Sequence, residues 1–146
     1  MLTLVRVTAA EDVAAMRELF AEYARAVGEP CCFAGFEREL AALPAGYQTL
    51  LLIRGAGCAG LRRVDAHTAE IKRLYVRPGQ RGAGLGRKLA RTAIAAAREA
   101  GCSRVVLDSL PAMRQAIALY RSLGFREIAP YLDQPTPGAI CFELTL

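Results

Sequence analysis

One stretch constrains this chain more than any other: Glu70 to Arg91, reading Glu-Ile-Lys-Arg-Leu-Tyr-Val-Arg-Pro-Gly-Gln-Arg-Gly-Ala-Gly-Leu-Gly-Arg-Lys-Leu-Ala-Arg. A β-rich run to Val76 breaks at Pro78-Gly79, passes three glycines (Gly82, Gly84, Gly86) and enters an Ala/Leu/Arg segment with helical spacing. The predicted unit is strand, glycine loop, helix. Glycines at a loop-to-helix junction let the backbone approach a ligand, and the N–H groups of the first helical turn have no acceptor within the helix. That end favours an anion, and Arg81, Arg87, Lys88 and Arg91 add positive charge around it. A phosphate or pyrophosphate is the expected ligand group. A nucleoside-triphosphate loop is disfavoured, because no Gly-Lys-Ser/Thr follows. Gly82-x-Gly84-x-Gly86 also differs from the dinucleotide pattern Gly-x-Gly-x-x-Gly.

Gln80-Arg81-Gly82-Ala83-Gly84-Leu85-Gly86 resembles the Gln/Arg-x-x-Gly-x-Gly/Ala signature of the GNAT family of acetyl-coenzyme A-dependent N-acetyltransferases. Glu70-Ile-Lys-Arg-Leu-Tyr-Val resembles that family's fourth strand, and Ala116-Ile-Ala-Leu-Tyr120-Arg-Ser-Leu-Gly-Phe125 its closing helix, in the same order and at similar spacing. The resemblance implies an α/β fold of the GNAT acyl-CoA N-acyltransferase type, a mixed and mostly antiparallel sheet flanked by helices, with a splayed pair of parallel strands. It also implies an enzyme, an acyltransferase moving the acetyl group of acetyl-CoA to an amine by direct attack in a ternary complex. The alternative is a non-catalytic module that senses acyl-CoA through the same pocket.

The chain read in order supports that arrangement. Residues 1–7 are β-branched enough for a first strand. Thr8-Ala-Ala-Glu11 offers a capping box, and Val13, Met16, Phe20, Tyr23 and Val27 recur at helical steps. Gly28-Glu29-Pro30 breaks this helix, and Phe33, Phe36, Leu40 and Leu43 mark a shorter one. Thr49 to Ile53, Cys58 to Val64 and the Glu70 strand, joined by short turns, predict an antiparallel meander. Leu85, Leu89, Ala93, Ala96, Ala97 and Ala100 form the apolar face of the helix after the glycine loop. Arg104 to Leu107 is then a strand parallel to the Glu70 strand. Pro111 to Leu123 is the last predicted helix, and a hairpin ending in Ala139 to Leu144 follows. At 146 residues one domain, 1–146, is expected.

Charge is unevenly placed. Residues 70–126 hold twelve Lys or Arg against Glu70, Glu99 and Asp108, a net +9, whereas 1–69 carry −1 and 127–146 carry −3. The basic residues are dispersed and few aromatics interleave with them, which disfavours nucleic acid. No apolar run has membrane-spanning length and no signal peptide is recognisable, so a cytoplasmic protein without a membrane partner is expected. Five cysteines (Cys31, Cys32, Cys58, Cys102, Cys141) without Cys-x-x-Cys spacing, and the single His67, give no metal-ligand set.

The resemblance assigns the site residue by residue. Tyr120 is the general acid for the departing thiolate. Glu70 is either the base that deprotonates the amine or a structural carboxylate. Leu74, Tyr75 and Val76 offer backbone groups to the pantetheine arm, the Val76 N–H serving the thioester oxygen, and Arg81, Gly82, Ala83, Gly84, Leu85, Gly86 and Arg87 hold the pyrophosphate. Where many relatives have a cofactor-contacting asparagine, this chain has Met113. The acceptor is a small-molecule amine or a protein amino group, and a homodimer is left open.

Overall fold

The computed structural model describes residues 2–28 and 35–146. Phe33, expected in the second helix, lies outside the described residues, as do Glu29, Pro30, Cys31 and Cys32. The described elements are β1 (Leu4–Arg6), α1 (Ala10–Val27), α2 (Phe36–Ala42), β2 (Thr49–Ile53), β3 (Gly57–Arg63), β4 (Thr68–Val76), α3 (Leu85–Glu99), β5 (Arg104–Ser109), α4 (Arg114–Ser122), β6 (Arg126–Ile128) and β7 (Ile140–Thr145). The strands form one sheet in the order β1-β2-β3-β4-β5-β7-β6, antiparallel throughout except for the parallel pair β4 and β5.

Side-chain alternation along the strands divides the core in two. On one face Leu51, Ile53, Ala69, Ile71, Val105, Leu107 and Phe142 pack against α3, which contributes Leu85, Leu89, Ala93 and Ala97. The alanines let the helix lie close to the sheet. Gly57 extends that closeness, since a Cβ there would stand 2.5 Å from the Tyr75 carbonyl oxygen and 3.4 Å from Leu89. Burial of a leucine such as Leu89 stabilises the packing by roughly 1.5–3 kcal/mol. On the other face Leu50, Leu52, Cys58 and Tyr75 meet Val13, Met16, Leu19 and Phe20 of α1.

Two local expectations are corrected. Thr8 and Glu11 form no capping box: α1 is capped at Ala9 without a side-chain bond, and the first-turn acid put to use is Asp12, bound to Arg54 at 2.8 and 2.9 Å. α4 starts at Arg114, because the chain first closes a turn in which the Met113 N–H bonds the Leu110 carbonyl. The expected terminal hairpin is present as β6 and β7, with β7 lying between β5 and the shorter edge strand β6.

The cleft arises from how β4 and β5 part. Their parallel pairing lasts three positions, Thr68↔Arg104, Ala69↔Val105 and Glu70↔Val106. Beyond these, β7 holds the end of β5 (Asp108↔Cys141, Ser109↔Ile140) while β3 holds the end of β4. A register shift between Cys58 and Gly60 puts a bulge in β4, where Arg73 adopts a left-handed conformation with φ 58°. A bulge bends and twists its strand, which turns β4 away from β5.

Candidate active site

The parted strands open a cleft of about 790 Å³, lined by β4, the glycine loop, the first turn of α3, the end of β5, α4 and part of α1. Leu74, Tyr75, Val76, Arg81, Gly82, Gly84, Leu85, Gly86, Arg87 and Tyr120 all line it. Ala83 lies in the same loop but not on the cleft wall, and Glu70 lies outside the wall.

At one end stands the N-terminus of α3. Gly82 and Gly84 take φ values of 89° and 76°, the left-handed conformation that a residue with a Cβ adopts only at a cost, and Gly84 is the helix cap. No acid occupies the first turn. The first intrahelical bond at this end runs from the Lys88 N–H to the Gly84 carbonyl, so the N–H groups of Leu85, Gly86 and Arg87 point outward unbonded, as helix geometry requires. Arg81 is drawn over the loop by a 2.9 Å bond from its Nε to the Val76 carbonyl, and Arg87 is steadied by Ser122 at 2.9 Å. A cationic helix start of this kind favours an anionic group.

β4 supplies the second element. The Arg77 N–H bonds the Ala56 carbonyl across the turn from β3. Because N–H groups alternate sides along a strand, those of Leu74 and Val76 point the other way, to the edge that β5 has left. An extended amide-bearing arm can pair along such an edge.

Tyr120 is the third. It is 6% exposed, packed edge-on against Phe125 and tilted against Phe142, yet it lines the cleft. Among the described residues its hydroxyl has no hydrogen-bond partner. Burial pushes its pKa well above the ordinary tyrosine value, and the charges of Tyr23 and Asp108 add to the effect. The hydroxyl therefore stays protonated at physiological pH.

Glu70 is fully buried. Its Oε1 accepts from Arg62 Nε at 2.6 Å and its Oε2 from the Tyr131 hydroxyl, whose own ionisation is pushed up by burial and by the Glu70 charge. Met113 caps α4, and its sulfur accepts weak bonds from the Tyr23 hydroxyl (3.7 Å) and Ser109 Oγ (3.5 Å). A thioether cannot donate as an asparagine amide would. Tyr23, expected as a helix-face aromatic, and Ser109, a candidate substitute for the missing asparagine contact, both line the cleft; the sequence reading missed Asp108, an acid at the end of the apolar run Val105-Val106-Leu107. Among the described residues no group of His, Cys, Asp and Glu is arranged to hold a metal ion, and no helix is long and apolar enough to cross a membrane.

Comparison with known proteins agrees with this geometry. Residues 13–125 match the model of the acetyltransferase (GNAT) family. An uncharacterized N-acetyltransferase of Schizosaccharomyces pombe is 32% identical over 146 residues, covering 93% of this chain and 90% of the relative. Among solved structures, an acetyltransferase from Streptococcus agalactiae superposes with a TM-score of 0.82 at 21% identity, over 99% of this chain and 98% of that one. The acetyltransferase yncA from Salmonella typhimurium, solved with acetyl-CoA, gives a TM-score of 0.76 at 23% identity, over 99% and 94%. A strand pair that splays beside a glycine-capped helix thus defines an acyl-CoA acyltransferase fold. The chain belongs to the GNAT acetyltransferase family, and with the family come its enzyme class, acetyltransferase, and its acyl donor, acetyl-CoA. The cleft can accept that donor: a cationic helix start at one end suits a diphosphate, an open strand edge runs along its length, and a protonated tyrosine hydroxyl stands beyond.

Proposed function

We propose that this protein is an N-acetyltransferase that brings acetyl-CoA and an amine acceptor together in one cleft and transfers the acetyl group directly between them. The observation that carries the reading is the convergence on one cleft of the N–H groups at the start of α3, the edge of Leu74 to Val76 that β5 has left, and the Tyr120 hydroxyl, which has no hydrogen-bond partner among the described residues. None of the described cysteines lines the cleft, which favours attack by the acceptor itself over a covalent enzyme intermediate.

The residues divide the work. The helix start, with Arg81 and Arg87, holds the donor's diphosphate, and the loop glycines keep that approach open. The Val76 N–H faces the thioester oxygen and stabilises the charge that grows there as the amine attacks. As the new C–N bond forms the C–S bond breaks, and Tyr120 gives its proton to the departing sulfur. For Glu70, the paired partners Arg62 and Tyr131 support the structural role over that of base.

A thiol-release assay tests the reading: purified protein, acetyl-CoA and a panel of amines, with free coenzyme A measured against an amine-free blank. Release with at least one amine is expected. Binding of acetyl-CoA without release from any amine would leave a sensor of acyl-CoA and remove the enzyme.

A further inference from the structure

The last parallel pair of the splay is Glu70↔Val106. Two residues further along each strand, on the same sheet face, are Lys72 of β4 and Asp108 of β5. In a continued pairing, opposite charges at these positions would lie side by side and attract. Here the strands have already parted, so Lys72 and Asp108 stand on opposite walls of the opening. Neither side chain forms a hydrogen bond or ion pair among the described residues. The other charges on this face are engaged: Glu70 by Arg62 and Tyr131, Arg73 and Tyr47 by Glu39, Arg104 and Arg126 by Glu143.

A simple cationic amine seated here would satisfy Asp108 but leave the half-buried Lys72 ammonium without a hydrogen-bonded partner as the ligand displaces water from the cleft, which costs binding free energy. A ligand with one charge of each sign satisfies both walls. Resting on the reading of the cleft as an N-acetyltransferase site, we infer that the acceptor is a zwitterion of the amino acid type, its ammonium received by Asp108 and its carboxylate by Lys72. The orientation has its own support. Asp108 neighbours Ser109, whose hydroxyl bonds Met113 at the start of the Tyr120 helix, whereas Lys72 neighbours Arg73, which is bound to Glu39 of α2. Asp108 takes one proton from the ammonium, freeing the lone pair that forms the C–N bond, and passes it to solvent. The second N–H proton, lost as the amide forms, returns through solvent to the Tyr120 oxygen, which has given its own to the sulfur, so that one proton is released per turnover.

The test compares thiol release with the free L-amino acids and with their carboxamides, which keep amine and side chain but carry no carboxylate. At least one amino acid should exceed its carboxamide in kcat/KM by about tenfold or more, the worth of one charge-assisted hydrogen bond. Lys72→Met should abolish that preference by raising KM for the acid and lowering it for the carboxamide, and Lys72→Arg should keep most of it. Asp108→Asn should lower kcat about 10²-fold on both substrates without altering the preference. Equal use of acids and carboxamides, a Lys72→Met effect shared by both, or release with plain amines but with no amino acid overturns the inference and leaves the acetyltransferase reading intact. Acetyl-CoA binding with release from no amine overturns both.

Discussion

Arg73, held at φ 58° in the β4 bulge, reaches over to α2 and grips Glu39 with two bonds of 2.8 and 3.0 Å, its guanidinium lying 5.4 Å from the centre of the Phe36 ring. The residue that bends β4 is thus the one that ties α2 to the rim of the cleft.

That pair has a testable cost. Burial raises the Glu39 carboxyl, but the Arg73 bonds and charge outweigh it and hold the pKa below its ordinary 4.5. A lowered folded-state pKa means stability that is present above 4.5 and lost as pH falls through the folded value. Glu39→Gln leaves the Arg73 charge, 7% exposed, without its main partner and should cost about 3 kcal/mol at pH 7. Urea unfolding should show the gap between parent and variant narrowing below pH 4.5. A constant gap would remove the ion pair as its source.

Gly84→Val tests the diphosphate cradle. A Cβ at this position meets nothing within 4 Å, so the penalty is conformational: a β-branched residue resists φ 76° and moves the helix start with its N–H groups. Calorimetric titration with acetyl-CoA should show affinity reduced about tenfold or more. Arg98→Ala, on the exposed face of the last turn of the same helix, should leave affinity unchanged. Equal losses would move the ligand away from the helix N-terminus.

Tyr120→Phe separates chemistry from packing. Its hydroxyl has no partner among the described residues, so removal should leave stability within about 0.5 kcal/mol while turnover falls about 10²-fold. Since burial holds the phenol above the ordinary value of about 10, the parent should lose no activity to tyrosine ionisation up to that pH. A variant of full activity would make Tyr120 a core aromatic only.

What was legible in the sequence was local. The glycine loop and the stripe of α3 depend on residues a few positions apart, and both were found where expected. The parallel pair followed from the length of the crossover. The bulge at Arg73 was not legible, because it depends on register against β3, and no residue type demands it. The partner of Glu70 shows the same limit. Lys72, two residues on, shares its strand face, but side chains at i and i+2 run parallel and do not converge. Arg62 lies directly across the β3–β4 ladder and takes the carboxylate, joined by Tyr131 from 61 residues away. Asp108 faced the cleft only once β7 had fixed the end of β5.

Glu70→Gln decides between the two roles that the sequence left to this carboxylate. A base would lose turnover at neutral pH and regain it as the pH approaches the acceptor's own pKa, where solvent supplies free amine. A structural carboxylate behaves otherwise. The amide keeps the shape but cannot offer two anionic oxygens, so the Arg62 charge and the Tyr131 hydroxyl each lose a strong acceptor in a fully buried position. Because Arg62 is 39% exposed, water recovers part of that loss, and the expected destabilisation is about 2 kcal/mol, below the range for a pair with both partners enclosed. Turnover should fall by one factor across pH 7 to 10, with the melting temperature lowered in parallel. Recovery of turnover at high pH in a variant of undiminished stability would return Glu70 to the role of base.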